Sequence, residues 1–149
     1  VAPPYLPEGS ALDLVQVDGR WNAVTLPASW GRQVVDILGL HCGPVMEDQA
    51  GGHLMWVIEA GGADSWPDAT AAGIEVHRAG AELLVCAIDG YRCGMRWLRV
   101  PTRQRWTTDP ELLQAAVEFI VGPLAEARPI ALCLWCSAPT RNGRMLGLI

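Results

Sequence analysis

The stretch AGGHLMWVIEA, residues 50–60, decides how the rest of the chain is read. Two glycines interrupt the backbone, His53 follows them, and five apolar residues run to Glu59. It reads as a turn feeding an amphipathic or buried strand, with His53 on one face beside Met55, Val57 and Glu59. Immediately upstream, Pro44–Glu47 is separated from it by the turn-prone DQAGG and reads as its antiparallel partner.

Working outward, Leu12–Val17 and Trp21–Leu26 read as strands joined at Asp18-Gly19. Ser29 is the expected N-cap of a helix whose apolar face is Trp30, Val34, Ile37 and Leu38, ended by Gly39. Residues 60–73 are small and turn-prone. Ile74–His77 and Ala81–Ile88 follow as strands, the second apolar on both faces and therefore expected at the centre of a sheet. A turn then leads into a strand over Met95–Val100. TTDPELL starts a second helix, with Thr108 and Glu111 at capping-box spacing and Asp109-Pro110 in the first turn. Its buried stripe is Leu113, Val117, Ile120, Val121 and Leu124, with Pro123 as kink or end. Ile130–Trp135 reads as a last strand. The expected architecture is one α+β domain over residues 1–149. It has a mixed, mainly antiparallel sheet covered by two principal helices, an extended arm at 1–10 and a tail at 137–149.

The bulk properties agree with one globular unit. The chain has 149 residues, half of them hydrophobic and 18% charged, and a domain of that size buries about 70% of its unfolded surface without covalent staples. The net charge is −5. Nonspecific nucleic-acid binding rests on a basic face, so nucleic acid ranks below a protein partner, self-association or a small ligand. The densest basic stretch is Arg92, Arg96, Arg99, Arg103 and Arg105. All 11 basic residues are Arg, which reads as the codon bias of a GC-rich genome such as an actinobacterial one. The start, VAPPYLPEGSALDL, has neither the basic nor the apolar region of a signal peptide. No apolar run approaches the ~20 residues of a membrane helix. With an odd cysteine count and no disulfide-scaffold spacing, a reduced, cytoplasmic setting is expected.

Several groups are candidates for chemistry. Cys133 and Cys136 form a CxxC, but Ser137-Ala138-Pro139 does not continue as the helix that activates a redox pair. Zinc needs about four ligands, and the other adjacent pair, His41-Cys42, lacks knuckle spacing. Buried apolar cysteines are the default, so no metal or cofactor is assigned, with zinc or another divalent cation left open. Glu75 and His77 point to one face of their strand. If that strand neighbours the one carrying His53, imidazole and carboxylate meet at one site; otherwise all three lie on a solvated face. Among seven tryptophans, Trp21, Trp30, Trp56, Trp97 and Trp135 fall at core positions. Trp66 and Trp106 lie in loops, where they would cover a pocket or an interface. Glu47 and Asp48 are adjacent and face opposite ways.

GGHLMWVIEA followed by GIEVHRAGAELLVCAIDGYRCGMRWL resembles the bifunctional DNA primase–polymerase domains of the archaeo-eukaryotic primase superfamily, and short actinobacterial proteins related to them. Gly51-Gly52-His53 is similar to the family's nucleotide-contacting His motif. Gly73-Ile74-Glu75-Val76 resembles its later metal-carboxylate motif, with Glu for Asp, and Arg96-Trp97-Leu98 resembles its closing segment. The likeness covers about a third of the chain. It departs where the Asp-x-Asp metal motif has no counterpart upstream of His53, and where Pro-Pro-Ser is replaced by Ala87-Ile88-Asp89. Two-metal phosphoryl transfer needs that carboxylate pair, so the resemblance implies a degenerate relative that keeps the scaffold and a nucleotide-shaped groove.

The expectation is therefore a non-catalytic cytoplasmic binding or regulatory module, engaging a protein partner or a small ligand. Its candidate ligand-binding residues are Gly51, Gly52, His53, Trp66 and Arg96. One alternative is a small enzyme or nucleotide-binding domain using His53, Glu75 and His77. Another is a single-stranded nucleic-acid-binding protein using the Arg92–Arg105 stretch with Trp106.

Overall fold

The central strand is the one carrying His53. In a computed structural model, which describes residues 3–7, 12–88 and 94–126, the strands are β1 (Asp13–Gln16), β2 (Trp21–Pro27), β3 (Val45–Asp48), β4 (His53–Glu59), β5 (Glu75–His77), β6 (Glu82–Val85) and β7 (Met95–Arg99). The helices are α1 (Ala28–Leu38) and α2 (Pro110–Val121). The expected strand Ile130–Trp135, the 137–149 tail, Cys133, Cys136 and Arg92 lie outside the described residues.

The architecture is α+β. A five-stranded antiparallel sheet has the order β5-β2-β4-β3-β7, and a separate antiparallel ribbon pairs β1 with β6. The five apolar residues of β4 are buried on both faces, and only His53 and Glu59 at its ends are exposed. Leu54, Trp56 and Ile58, with Val24 and Leu26 of β2, face the helices and pack on Trp30, Val34, Leu113, Val117 and Ile120. Met55 and Val57, with Trp21, Ala23, Met46 and Trp97, form a second core on the opposite face under the ribbon and Tyr5.

Four expectations are corrected by tertiary context. First, among the described residues Ala81–Ile88 does not form a central strand. Its β6 segment pairs there with β1 alone; Leu83 and Val85 turn to the second core, while Leu84 sits opposite Leu14 and stays 48% exposed. Second, Ser29 does not cap α1. The helix follows β2 without a loop at Pro27, and the Ala28 N–H donates to Gly52 O on the β3–β4 turn instead. Ile37 of its expected apolar face is exposed. Third, Asp109 rather than Thr108 caps α2, accepting from Glu111 N at 2.8 Å. The buried Thr108 hydroxyl instead accepts from Gly43 N, tying the start of α2 to the segment entering β3. Fourth, the arm is not simply extended. Residues 3–7 turn back, with Leu6 N–H donating to Pro3 O, and Tyr5 is fully buried. The stripe Leu113, Val117, Ile120, Val121 and Leu124 is buried as expected.

Candidate functional site

Alternation along three strands assembles a polar patch on the sheet face away from the helices. The four residues 49–52 close the β3–β4 hairpin so that Asp48 stands directly opposite His53. The Asp48 carboxylate accepts from Gly51 N at 2.9 Å, the side-chain-to-backbone bond that organises a tight turn. A Cβ at Gly51 would lie 2.6 Å from Asp48 Oδ2 and 3.0 Å from His53 Nδ1. A side chain at Gly51 would have to displace both groups, and carboxylate and imidazole thus lie close to the same small volume. Gly52 turns the chain with φ 70°, a conformation glycine adopts freely.

On the other side of β4, β2 brings Thr25 opposite both Met55 and Glu75. His77, two residues along β5, faces the same way. Its Nε2 is 3.0 Å from Thr25 Oγ1 and 3.8 Å from Glu75 Oε2. Burial pushes the His77 pKa below its usual value; Glu75 pulls it up and His53 pushes it further down. His77 is thus a neutral imidazole near pH 7.

These groups line one cavity of about 330 Å³ between the sheet and the ribbon. Asp48, His53, Glu75 and His77 share it with Glu82 of β6 and with Met46, Met55, Met95, Leu14, Leu83 and Leu84. Among the described residues the wall therefore carries three carboxylates, two histidines and no arginine, on an apolar floor rich in methionine. Methionine supplies an adaptable, polarisable surface. The strand of Glu75 and His77 is not the neighbour of the His53 strand, since β2 lies between them; the three side chains nevertheless line the same cavity. Asp48 was missed because the β3 reading stopped at Glu47; the hairpin register supplies it.

The remaining candidates lie elsewhere. Arg96 is on the helix face of the sheet, with its Nε donating to Glu47 Oε1 at 2.9 Å. Arg99 donates to Gly39 O at the end of α1, and Trp106 packs against Tyr5. The basic stretch is thus partly consumed inside the fold, with Arg103 and Arg105 left exposed. Trp66 is buried in the helix-side core. It borders a larger depression of about 710 Å³ at the start of α2, whose ionisable groups are Glu59, Asp109 and Glu111. Among the described residues that depression contains no histidine, cysteine or arginine, so it lacks the paired acid and base of the smaller cavity. Among the described residues, no three His, Cys, Asp or Glu side chains are gathered closely enough to hold a metal ion. Cys42 and Cys86 are buried, and burial pushes the Cys42 thiol pKa up, which lowers its reactivity. Among these residues, no helix is long and apolar enough to cross a membrane.

The depressed His77 pKa has a stability consequence. Neutral burial contributes stability that is fully present above the ordinary histidine value of 6.5. That contribution is lost as pH falls through the lower folded value, because the unfolded chain binds the proton more readily. Denaturant unfolding from pH 8 to pH 5 is expected to show a stability decline that His77→Gln flattens. An unchanged slope in the variant would assign the decline to other groups.

The chain matches no protein-family model, no curated protein and no solved structure.

Proposed function

We propose that the protein is a non-catalytic binding module whose cavity between sheet and ribbon takes a small amphipathic cation, an amine on an apolar body. The observation that carries this reading is the lining: among the described residues, three carboxylates and two imidazoles, with no arginine, around a methionine- and leucine-rich floor. An ammonium group gains charge-assisted hydrogen bonds there, while its apolar body covers Met46, Met55 and Met95. A free nucleotide would bring its phosphates against Asp48, Glu75 and Glu82. Like charges at short range are repulsive, so a nucleotide needs a divalent cation between.

The kinship with primase–polymerase domains stands as part of this proposal. His53 and Glu75, the residues that the resemblance marks, open on the same cavity, which supports a shared scaffold. Met46 and Asp48 are the β3 residues facing it, so that strand supplies one carboxylate where two-metal chemistry takes a pair. A reduced cytoplasmic setting is compatible with the buried thiol of Cys42.

The test is calorimetric titration with hexylammonium chloride, with hexanoate as the opposite-charge control. Saturable binding of the amine alone is expected. It should weaken about 10- to 100-fold in Asp48→Asn/Glu75→Gln, the range for losing hydrogen bonds to charged groups. Equal binding of hexanoate would overturn the reading. Binding of ATP with Mg²⁺ in place of the amine would establish the nucleotide alternative instead.

A further inference from the structure

On the opposite face of the sheet, a second polar cluster has a different chemistry. Glu47 is one of the largest side chains with no exposure, at 0%. Its two carboxylate oxygens are each taken by a different guanidinium: Arg32 Nη2 of α1 reaches Oε2, and Arg96 Nε of β7 reaches Oε1 at 2.9 Å. The helix is brought close enough by Gly31. A Cβ there would lie 2.8 Å from Leu54 Cδ1, and Leu54 is the β4 residue paired with Glu47.

Both arginines remain half open to solvent, with side-chain exposures of 55% for Arg32 and 47% for Arg96. Each makes one bond to Glu47, which leaves most of its N–H donors unused. Asp36, one turn along α1, forms no ion pair with either among the described residues. Two positive charges are thus held side by side by one buried negative charge. The cluster presents a net positive, rigid donor surface on a chain whose net charge is −5.

Stability alone does not account for this arrangement. Burying a carboxylate costs several kcal/mol, and an apolar trio of the same volume joins a helix to a strand about as well. What an apolar trio cannot do is hold two half-exposed guanidiniums on one buried carboxylate. Guanidinium forks match the oxygens of carboxylate and phosphate groups, and the side-chain entropy of ordering both arginines is already spent in the folded protein.

We infer that Arg32 and Arg96, set by buried Glu47, form an oxyanion-binding site on the helix face, independent of the cavity under the ribbon. Its ligand is a phosphate or carboxylate group, bound by both guanidiniums together.

Inorganic phosphate and acetate serve as probes, read by the side-chain Nε–H signals of the arginines in ¹⁵N-labelled full-length protein. Saturable shifts at Arg32 and Arg96 are expected, with Arg103 unmoved. Saturation by phosphate alone identifies a phosphate site; saturation by acetate as well identifies a general carboxylate and phosphate site. Arg96→Lys keeps the charge but loses the fork and is expected to weaken binding about tenfold. Arg32→Lys, on the exposed helix surface, gives the same readout if Arg96→Lys does not fold. Arg103→Lys is the control and leaves affinity unchanged. Linear, unsaturated shifts of equal size at Arg103 would overturn the site, as would undiminished affinity in both lysine variants. Neither outcome bears on amine binding in the cavity, so the two proposals fail separately.

Discussion

Tyr5→Ala is expected to destabilise the protein by about 3–5 kcal/mol, the range for truncating a fully buried aromatic. Tyr5 has no exposed surface. Its ring meets Trp21 edge-on with centroids 5.5 Å apart, and lies 5.8 Å from Trp97 and 6.1 Å from Trp106. Its hydroxyl donates to Trp106 O at 2.8 Å, joining segments 101 residues apart. Truncation therefore removes apolar burial, three ring contacts and a hydrogen bond together. Tyr5→Phe separates these contributions and is expected to cost only about 1 kcal/mol, the net value of one hydrogen bond. Urea unfolding of the three proteins checks both figures. A loss below about 1 kcal/mol for Tyr5→Ala would mean that residues 3–7 contribute little to the second core.

The second large effect concerns the charge cluster on the helix face. Arg32→Met/Arg96→Met leaves Glu47 buried without either counter-charge, and a cost of about 3–5 kcal/mol is expected. Adding Glu47→Leu to the same protein removes the stranded carboxylate and is expected to recover most of that loss. The triple variant is then expected to be more stable than the double. Thermal and urea unfolding of wild type, double and triple variants measures it directly. If the double variant were as stable as wild type, the carboxylate would be reached by water in solution and the rigid pairing of the arginines would fail with it.

Much of the framework was legible because period and burial agree. Strands β2, β3, β4 and β5 and the buried stripe of α2 follow from alternation and from 3.6-residue spacing. The helix caps were less legible for a physical reason. Ser29 and Thr108 have the right chemistry for capping, but Thr108 is claimed by Gly43, 65 residues away, and the start of α1 is claimed by Gly52. Local hydrogen-bonding capacity does not reveal which distant donor or acceptor uses it. The same holds for β6, where an apolar run could mark a central strand or a ribbon packed on one face.

The candidate site was legible in part. Side-chain alternation puts Glu75 and His77 on one face, and the turn after Asp48 could have revealed its pairing with His53 once the strand was carried one residue past Glu47. Alternation between Met95 and Trp97 likewise sends Arg96 away from the His53 face, so it does not join the His53 cavity.

What AGGHLMWVIEA settles alone is a tight turn, a strand whose five apolar residues must be buried, and a histidine on the Met55 face; these depend only on backbone sterics, side-chain period and apolarity. Strand order is another matter. That β2 lies between β4 and β5, bringing Glu75 and His77 to the cavity of His53 and Asp48, is a choice among distant pairings. So is the descent of α1 onto Leu54, which carries Arg32 to Glu47. Such pairings are decided by the packing of the whole chain, because each strand edge and apolar face has several partners that satisfy it equally well until the others are placed.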